Sequence, residues 1–275
     1  MSDLFDVPPR AVDGIRVGIG GWTYAPWRGG MFYPDGLVQR RELEYASRHL
    51  TAIEVNGTYY GAQKPATYAR WRDEVPDGFV FSAKAPKRIV HARDLSRVGG
   101  QVEDFIGGIA ELGDRLGPLV WQFDSGQRIE REPFEAFVGQ LPDTVSGRPL
   151  RHVLDVRDAA FVDAAYVELA RRHGLAIVCT DSPDHPNLAD VTADFVYARL
   201  MRSRDGIATG YSRDELDAWA GRARQWADGT APDDLPRLTA PAAKRPRDVF
   251  IFFISAAKHR NPAAAMALLA RLGAT

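Results

Sequence analysis

One cysteine, Cys179, stands among 275 residues, so no disulfide can form within the chain. Its apolar setting, AIVC, marks a buried structural thiol, and a reducing compartment fits. Long hydrophobic runs are also missing, and nothing approaches the ~18 consecutive apolar residues of a membrane span. Met1 to Arg10 is acidic and contains proline, with no apolar segment of a secretory signal. These absences predict a cytoplasmic protein without a membrane partner. A basic surplus is lacking too: 35 Lys and Arg nearly cancel 36 Asp and Glu, leaving a net charge of −1. That handicaps a dedicated nucleic-acid binder. Lysine itself is scarce, confined to Lys64, Lys84, Lys87, Lys244 and Lys258.

Several chemistries lack their motifs. The histidines His49, His91, His152, His173, His185 and His259 show no HxH, HExxH or Cys/His pairing, which argues against a metal centre. A magnesium or manganese site from Glu54, Asp155, Asp181 and His91 is the weaker alternative. No GxSxG is present, and the glycines of GIGG (residues 18–21) open no helix, so they form no phosphate fingerprint. No cofactor is expected.

What is present is a full core and a rhythm. Hydrophobic residues make up 45% and charged residues 26% of the chain, the balance of an ordinary globular protein. After a loose tail over residues 1–14, short apolar runs alternate with amphipathic segments. Strands are expected at 15–21, 52–60, 78–84, 119–124, 151–158, 175–181, 195–200 and 248–255. Helices are expected at 38–49, from Pro65, at 102–116, 133–141, 162–173, from Ser212 to about 228, and at 262–272. Pro65 suits a first helical position, and Ser212 with Glu215 reads as a capping box. Residues 229–247, rich in Pro, Ala and charge, read as an irregular surface insertion. Eight strands alternating with helical crossovers predict an α/β fold, a single and somewhat irregular (β/α)8 TIM-type barrel over residues 15–275. A doubly wound open sheet is the alternative.

The strands carry polar residues where apolar ones belong. In AIEVNGTYY (residues 52–60), Ile53 and Val55 share one face, Glu54 and Asn56 the other. A charge there costs free energy unless it is paired or opens onto a cavity. Taking the late inward position of each strand gives Gly20 with Trp22, Glu54 with Asn56, Lys84, Gln122, Asp155 with Arg157, Asp181, Tyr197 with Arg199, and Ser255. In a barrel such a ring lies at the carboxyl end, where ligands bind. The same ring could equally be an ion network that only fills the bore.

The chain also resembles a known family. GIGGWTYAPWRGGMFYP (residues 18–34) is similar to the Gly-rich turn, Trp/Tyr/Trp cluster and Phe-Tyr-Pro of the YecE-like proteins, also called domain of unknown function seventy-two. Glu54, Asn56 and Tyr59, then Phe79, Phe81 and Lys84, His91 downstream, and Gln122 match further motifs. The resemblance spans nearly the whole chain and implies an imperfect TIM-type barrel without an established activity. This chain departs from the pattern at Asp155, Arg157, Asp158 and Phe161 on strand five. It has Met201 where a histidine is usual, and Ser255, Lys258 and His259 in place of an Asn-rich turn. Chemistry that needs the missing His or Asn would be lost or altered here.

Together these features predict an enzyme acting on an anionic, phosphorylated or sugar-like small molecule. Glu54, Lys84, Asp155 and Arg157 are the catalytic candidates, with Glu54 as general acid or base. Ligand contacts are expected from Trp22, Tyr24, Trp27, Asn56, Tyr59, His91, Gln122, Asp181, Tyr197, Arg199 and Lys258. The arginine forks suit carboxylate or phosphate, and the aromatic rings suit a sugar or base. Hydrolysis is the favoured reaction class. The competing reading is a nucleic-acid or nucleotide binder without catalysis; no oligomeric state is implied.

Overall fold

The computed structural model describes residues 8–274; residues 1–7 of the expected tail lie outside the described residues. Eight parallel strands close into a barrel. The first is β1 (Ile15–Gly20), followed by a short helix α1 (Glu42–Ser47) and β2 (Ala52–Val55). Then come α2 (Pro65–Glu74), β3 (Val80–Lys84), α3 (Lys87–Val90), α4 (Gly99–Ile109) and β4 (Leu116–Phe123). The helix α5 (Arg131–Val138) precedes a small hairpin, β5 (Thr144–Val145) and β6 (Arg148–Pro149). Beyond it run β7 (His152–Val156), α6 (Ala164–Arg172), β8 (Ala176–Thr180) and β9 (Phe195–Leu200). The chain closes with α7 (Arg213–Ala227), β10 (Asp248–Phe253) and α8 (Asn261–Leu272). Around the barrel the order is β1, β10, β9, β8, β7, β4, β3, β2, and β2 pairs again with β1.

Local chemistry explains the boundaries. Pro65 opens α2, where its missing N–H is no loss. At α7 the Ser212 side chain accepts from Glu215 N and Glu215 Oε2 accepts from Ser212 N, a complete capping box. Such a cap contributes about 1 kcal/mol. The helix expected at 102–116 stops at Ile109 instead. A tight turn, Ala110–Arg115, follows, and Gly113 at φ 60° turns the chain back toward the barrel. β4 therefore begins at Leu116 and includes Pro118. The proline is tolerated because the β3–β4 register shifts between Phe81 and Ala83, so its missing donor falls at a bulge. The hairpin β5–β6 is absent from the sequence reading. Ser146 and Gly147, both left-handed, form its two-residue turn. Residues 229–247 hold no helix or strand.

Two packed layers follow from the alternation. Outward residues such as Ile53, Phe81, Trp121, Leu154, Cys179, Leu200 and Phe253 join the helices in the main core. Inward residues Ala52, Val80, Val120, Val153, Val178, Tyr197, Phe250 and Phe252 fill the bore. Each fully buried large side chain stabilises by about 1.5–3 kcal/mol. At Gly18 a Cβ would overlap the Ala52 carbonyl, so only glycine lets β1 and β2 meet there. Above the apolar filling, register sets polar side chains at one height. Glu54 is level with Ser82, Gln122 with Asp155, and Thr180 with Arg199.

Candidate functional site

At the carboxyl end of the bore lies a cavity of about 260 Å³. Of the residues expected there, Glu54, Asn56, Lys84, Gln122, Arg157, Arg199 and Lys258 line it, with Ser255 at its edge. Clefts of about 260 and 320 Å³ also open at the amino end. Those are lined by turns, the β5–β6 hairpin and the first residues of strands, whereas the carboxyl-end cavity collects the inward polar side chains of five strands or their ends. The chemistry therefore points to the latter.

Its floor is an ion network built on Arg199. The guanidinium donates through Nε to Glu54 Oε2 at 2.9 Å, and through Nη1 to Gln122 Oε1 at 3.0 Å and Asp155 Oδ2 at 2.5 Å. Arg157 Nε donates to Asp155 Oδ2 at 3.2 Å, so Asp155 joins the two arginines. Tyr197 donates to Glu54 Oε2 at 2.6 Å and meets Ser82 Oγ at 2.7 Å. Burial works against the Arg199 charge, but Glu54 and Asp155 outweigh it and raise its pKa above the usual arginine value. Two buried atoms of this floor, Glu54 Oε1 and Arg199 Nη2, have no protein partner. Buried polar groups are usually paired, and these two lie together beside the cavity.

A second cluster stands beside it. Asp124, just past the end of β4, accepts from Tyr59 OH at 2.7 Å and meets His91 Nε2 at 3.2 Å, while Tyr59 OH and His91 Nε2 are 3.0 Å apart. Gln122 also donates to Asp124. Burial pushes the Asp124 pKa up, but the bonds from Tyr59 and Gln122 and the Lys84 charge bring it down to about 2. Tyr59 shifts the opposite way, upward, through burial and its bond to that carboxylate.

The lysines differ from these paired groups. Lys84 Nζ lies 3.6 Å from the centre of the Tyr59 ring, and Lys258 Nζ lies 4.6 Å from that of Tyr24 and 5.5 Å from that of Trp27. Neither ammonium has a hydrogen bond or a carboxylate partner among the described residues. Burial, then Arg199 and Arg157 against Asp124 and Glu54, pulls the Lys84 pKa down to about 8. Burial also lowers that of Lys258. The turn carrying Lys258 is strained: Ser255 and Ala256 both have positive φ, 60° and 48°. It is held by Asn261 Nδ2 to Ser255 O at 3.2 Å and by Trp27 Nε1 to Lys258 O at 3.0 Å.

Several expected residues lie elsewhere. Asp181 does not enter the cavity. β8 points Ala176 and Val178 inward, so Thr180 takes the inner position and Asp181 faces away. It accepts from Met201 N and from Tyr211 OH, the latter at 2.8 Å, and so fixes the loop after β9. Trp22 packs edge-on against Trp71, 4.9 Å between ring centres, because the left-handed Gly21 turns the chain off the strand before it. Trp27 is wholly buried among Phe32, Tyr33 and Tyr24. Trp27 therefore offers no open face for stacking. Tyr197, fully buried, lies below the cavity rather than lining it. The alternative metal set is not assembled, since Glu54 and Asp155 share Arg199 and Asp181 is remote; no metal-holding group of three such side chains occurs among the described residues. Cys179 is no nucleophile, as burial pushes its thiol up to about 12.

Three residues escaped the sequence reading. Asp124 follows Gln122 by two positions, a same-face spacing that could have flagged it. Asn261 lines the cavity with its buried Oδ1 unpartnered, in the turn where asparagines are usual in the resembled family. His185, in the loop after β8, has its pKa lowered by burial and by Arg157.

With the site in view, comparison places the chain. Residues 16–275 match the family described as "Protein of unknown function DUF72". The chain is a member of that family. The UPF0759 proteins YecE of Escherichia coli K12 and O157:H7 are each 26% identical over 244 residues, covering 79% of this chain and 84% of theirs. The crystal structure of a DUF72 family protein from Thermotoga maritima superposes with a TM-score of 0.68 at 20% identity, covering 92% of this chain and 96% of that one. One from Enterococcus faecalis V583 gives 0.70 at 13% identity, covering 95% and 96%. These structures share the fold. Among the described residues no helix is long and apolar enough to cross a membrane.

Proposed function

We propose that this DUF72 protein is an enzyme whose carboxyl-end cavity takes a small anionic molecule. One observation carries the reading. Lys84 and Lys258 present two ammonium groups without carboxylate partners to one cavity, while the arginines and acids around them are already paired. Arg157, held by Asp155 yet lining the cavity, supplies a planar fork for carboxylate or phosphate. Glu54 supports the site best as the fixed counter-ion of Arg199, since two donors occupy its Oε2. Proton transfer then falls to the Tyr59–Asp124–His91 cluster, whose members are bonded to one another at 2.7–3.2 Å. A net charge of −1 and a concave site favour a small molecule over a nucleic-acid strand.

Thermal-shift screening against phosphorylated and carboxylated metabolites tests this. At least one should stabilise the wild type, and the shift should vanish in Lys258→Met and Arg157→Ala. A shift unchanged in both variants, or binding confined to oligonucleotides with a steep salt dependence, contradicts it.

A further inference from the structure

Lys84 has no ionic partner among the described residues. It leaves the end of β3 half-buried, with its ammonium over the Tyr59 ring and its stem facing the cavity. Every carboxylate nearby is already engaged. Glu54 and Asp155 answer Arg199, Asp155 also answers Arg157, and Asp124 is bonded by Tyr59, Gln122 and His91. The charged groups acting on Lys84 are Arg199 from β9, Arg157 from the end of β7, Asp124 from the end of β4 and Glu54 from β2; the phenol of Tyr59 lies beneath it. A half-buried lysine that closes no ion pair, lines the cavity and has two arginines in its field can serve the site as an amine as well as a charge.

We propose that Lys84 is an imine-forming lysine that condenses with a small carbonyl compound bearing a carboxylate or phosphate. The inference rests on the anion-site reading above, with Arg157 and Lys258 holding the anionic group. The neutral Nζ adds to the carbonyl carbon; the C–N bond forms as the carbonyl π pair moves to oxygen, which takes a proton. The nitrogen then loses a proton, the hydroxyl gains one, and water leaves as the C=N bond closes. Nothing is oxidised or reduced. The Tyr59 ring lies beneath the amine, and the Tyr59–Asp124–His91 cluster to which its hydroxyl is bonded accepts and returns these protons. A cavity of about 260 Å³ fits a compound of a few carbons rather than a polymer.

Reductive trapping decides the matter. The intact protein is incubated with cyanoborohydride and either pyruvate, dihydroxyacetone phosphate or uncharged acetone, then digested and mapped by mass spectrometry. Lys84 should be labelled at least ~10-fold more than exposed Lys64, Lys87 or Lys244 at pH 7, and by an anionic compound in preference to acetone. Whichever anion labels better identifies the source of the charge. Labelling of Lys84 should climb from pH 6 to 8 and then level, while the exposed lysines go on rising. Lys84→Arg, which keeps the charge but cannot form the imine, should still show the ligand's thermal shift without an adduct. A ligand that shifts the wild type yet never labels Lys84, or labels all lysines alike, overturns the imine and leaves the anion site standing. Absence of both binding and labelling overturns both.

Discussion

The two ends of the bore each hold arginines and carboxylates, and they use them differently. At the amino end Arg16 and Arg151 share one acid, Asp248, at 3.8 and 2.6 Å. Both guanidiniums lie over Phe250, each 5.5 Å from the ring centre, and Arg151 lies equally far from Phe195. That end is a plug in which aromatic faces and one carboxylate share the charge, partly open to water. At the carboxyl end Arg199, 2% exposed, is held by Glu54 and Asp155 together, and two lysines are left over. A barrel needs its bore filled, and the amino end shows how few polar groups suffice. The surplus at the carboxyl end exceeds that need, which is why we place the proposed anion site there.

Mutations can break this contrast. The largest effect belongs to Arg199→Met, which strips two buried acids of their cation and should cost about 3–5 kcal/mol in urea unfolding. Arg151→Met, at the wetter end, should cost about 1 kcal/mol or less. Equal losses would mean that both ends are merely structural. Trp27→Phe removes the donor to the Lys258 carbonyl; a loss of about 1 kcal/mol is expected, together with weaker binding of the anion found by screening. If affinity is untouched, the strained turn does not position Lys258.

Two smaller effects depend on pH. Asp124 has a folded pKa of about 2, below its unfolded value, so it stabilises above pH ~4 and loses that contribution as pH falls through 2. Asp124→Asn should therefore be less stable than wild type at pH 7, with the gap closing toward pH 2. Lys84 is depressed to about 8, so the fold penalises its charged form below that pH. Between pH 8 and ~10.5 the unfolded chain binds more protons, and wild-type stability should gain slightly with pH. Lys84→Met should lack that rise in urea titrations.

Much of this was legible because strands alternate. The bounds of β9 coincide with the expected 195–200, and Glu54, Lys84, Gln122, Arg157 and Arg199 reach one cavity from separate strands or their ends. The readings failed where the parity of a strand was mistaken or alternation stops. With Val178 inward, alternation puts Thr180 in the bore and Asp181 outside it, and Trp22 follows a left-handed glycine that cancels the count. His185 and Asn261 come from a loop and a helix start, where no strand period sets their direction, whereas Asp124 keeps the same-face spacing after Gln122. The β5–β6 hairpin, only two residues per strand, is too short to leave a periodic trace.

The chain's few lysines allow a direct test of whether Lys84 and Lys258 face an anion. With lysine labelled at Cε, NMR should give five side-chain signals. Titrating inorganic phosphate, pyruvate and a sugar phosphate should move the signals of Lys84 and Lys258 saturably, leaving exposed Lys64, Lys87 and Lys244 in place. The pH titration should put Lys84 near 8, well below those three. Signals of Lys84 and Lys258 that ignore every anion, or move only in step with the exposed lysines, would show that the cavity holds no anion site.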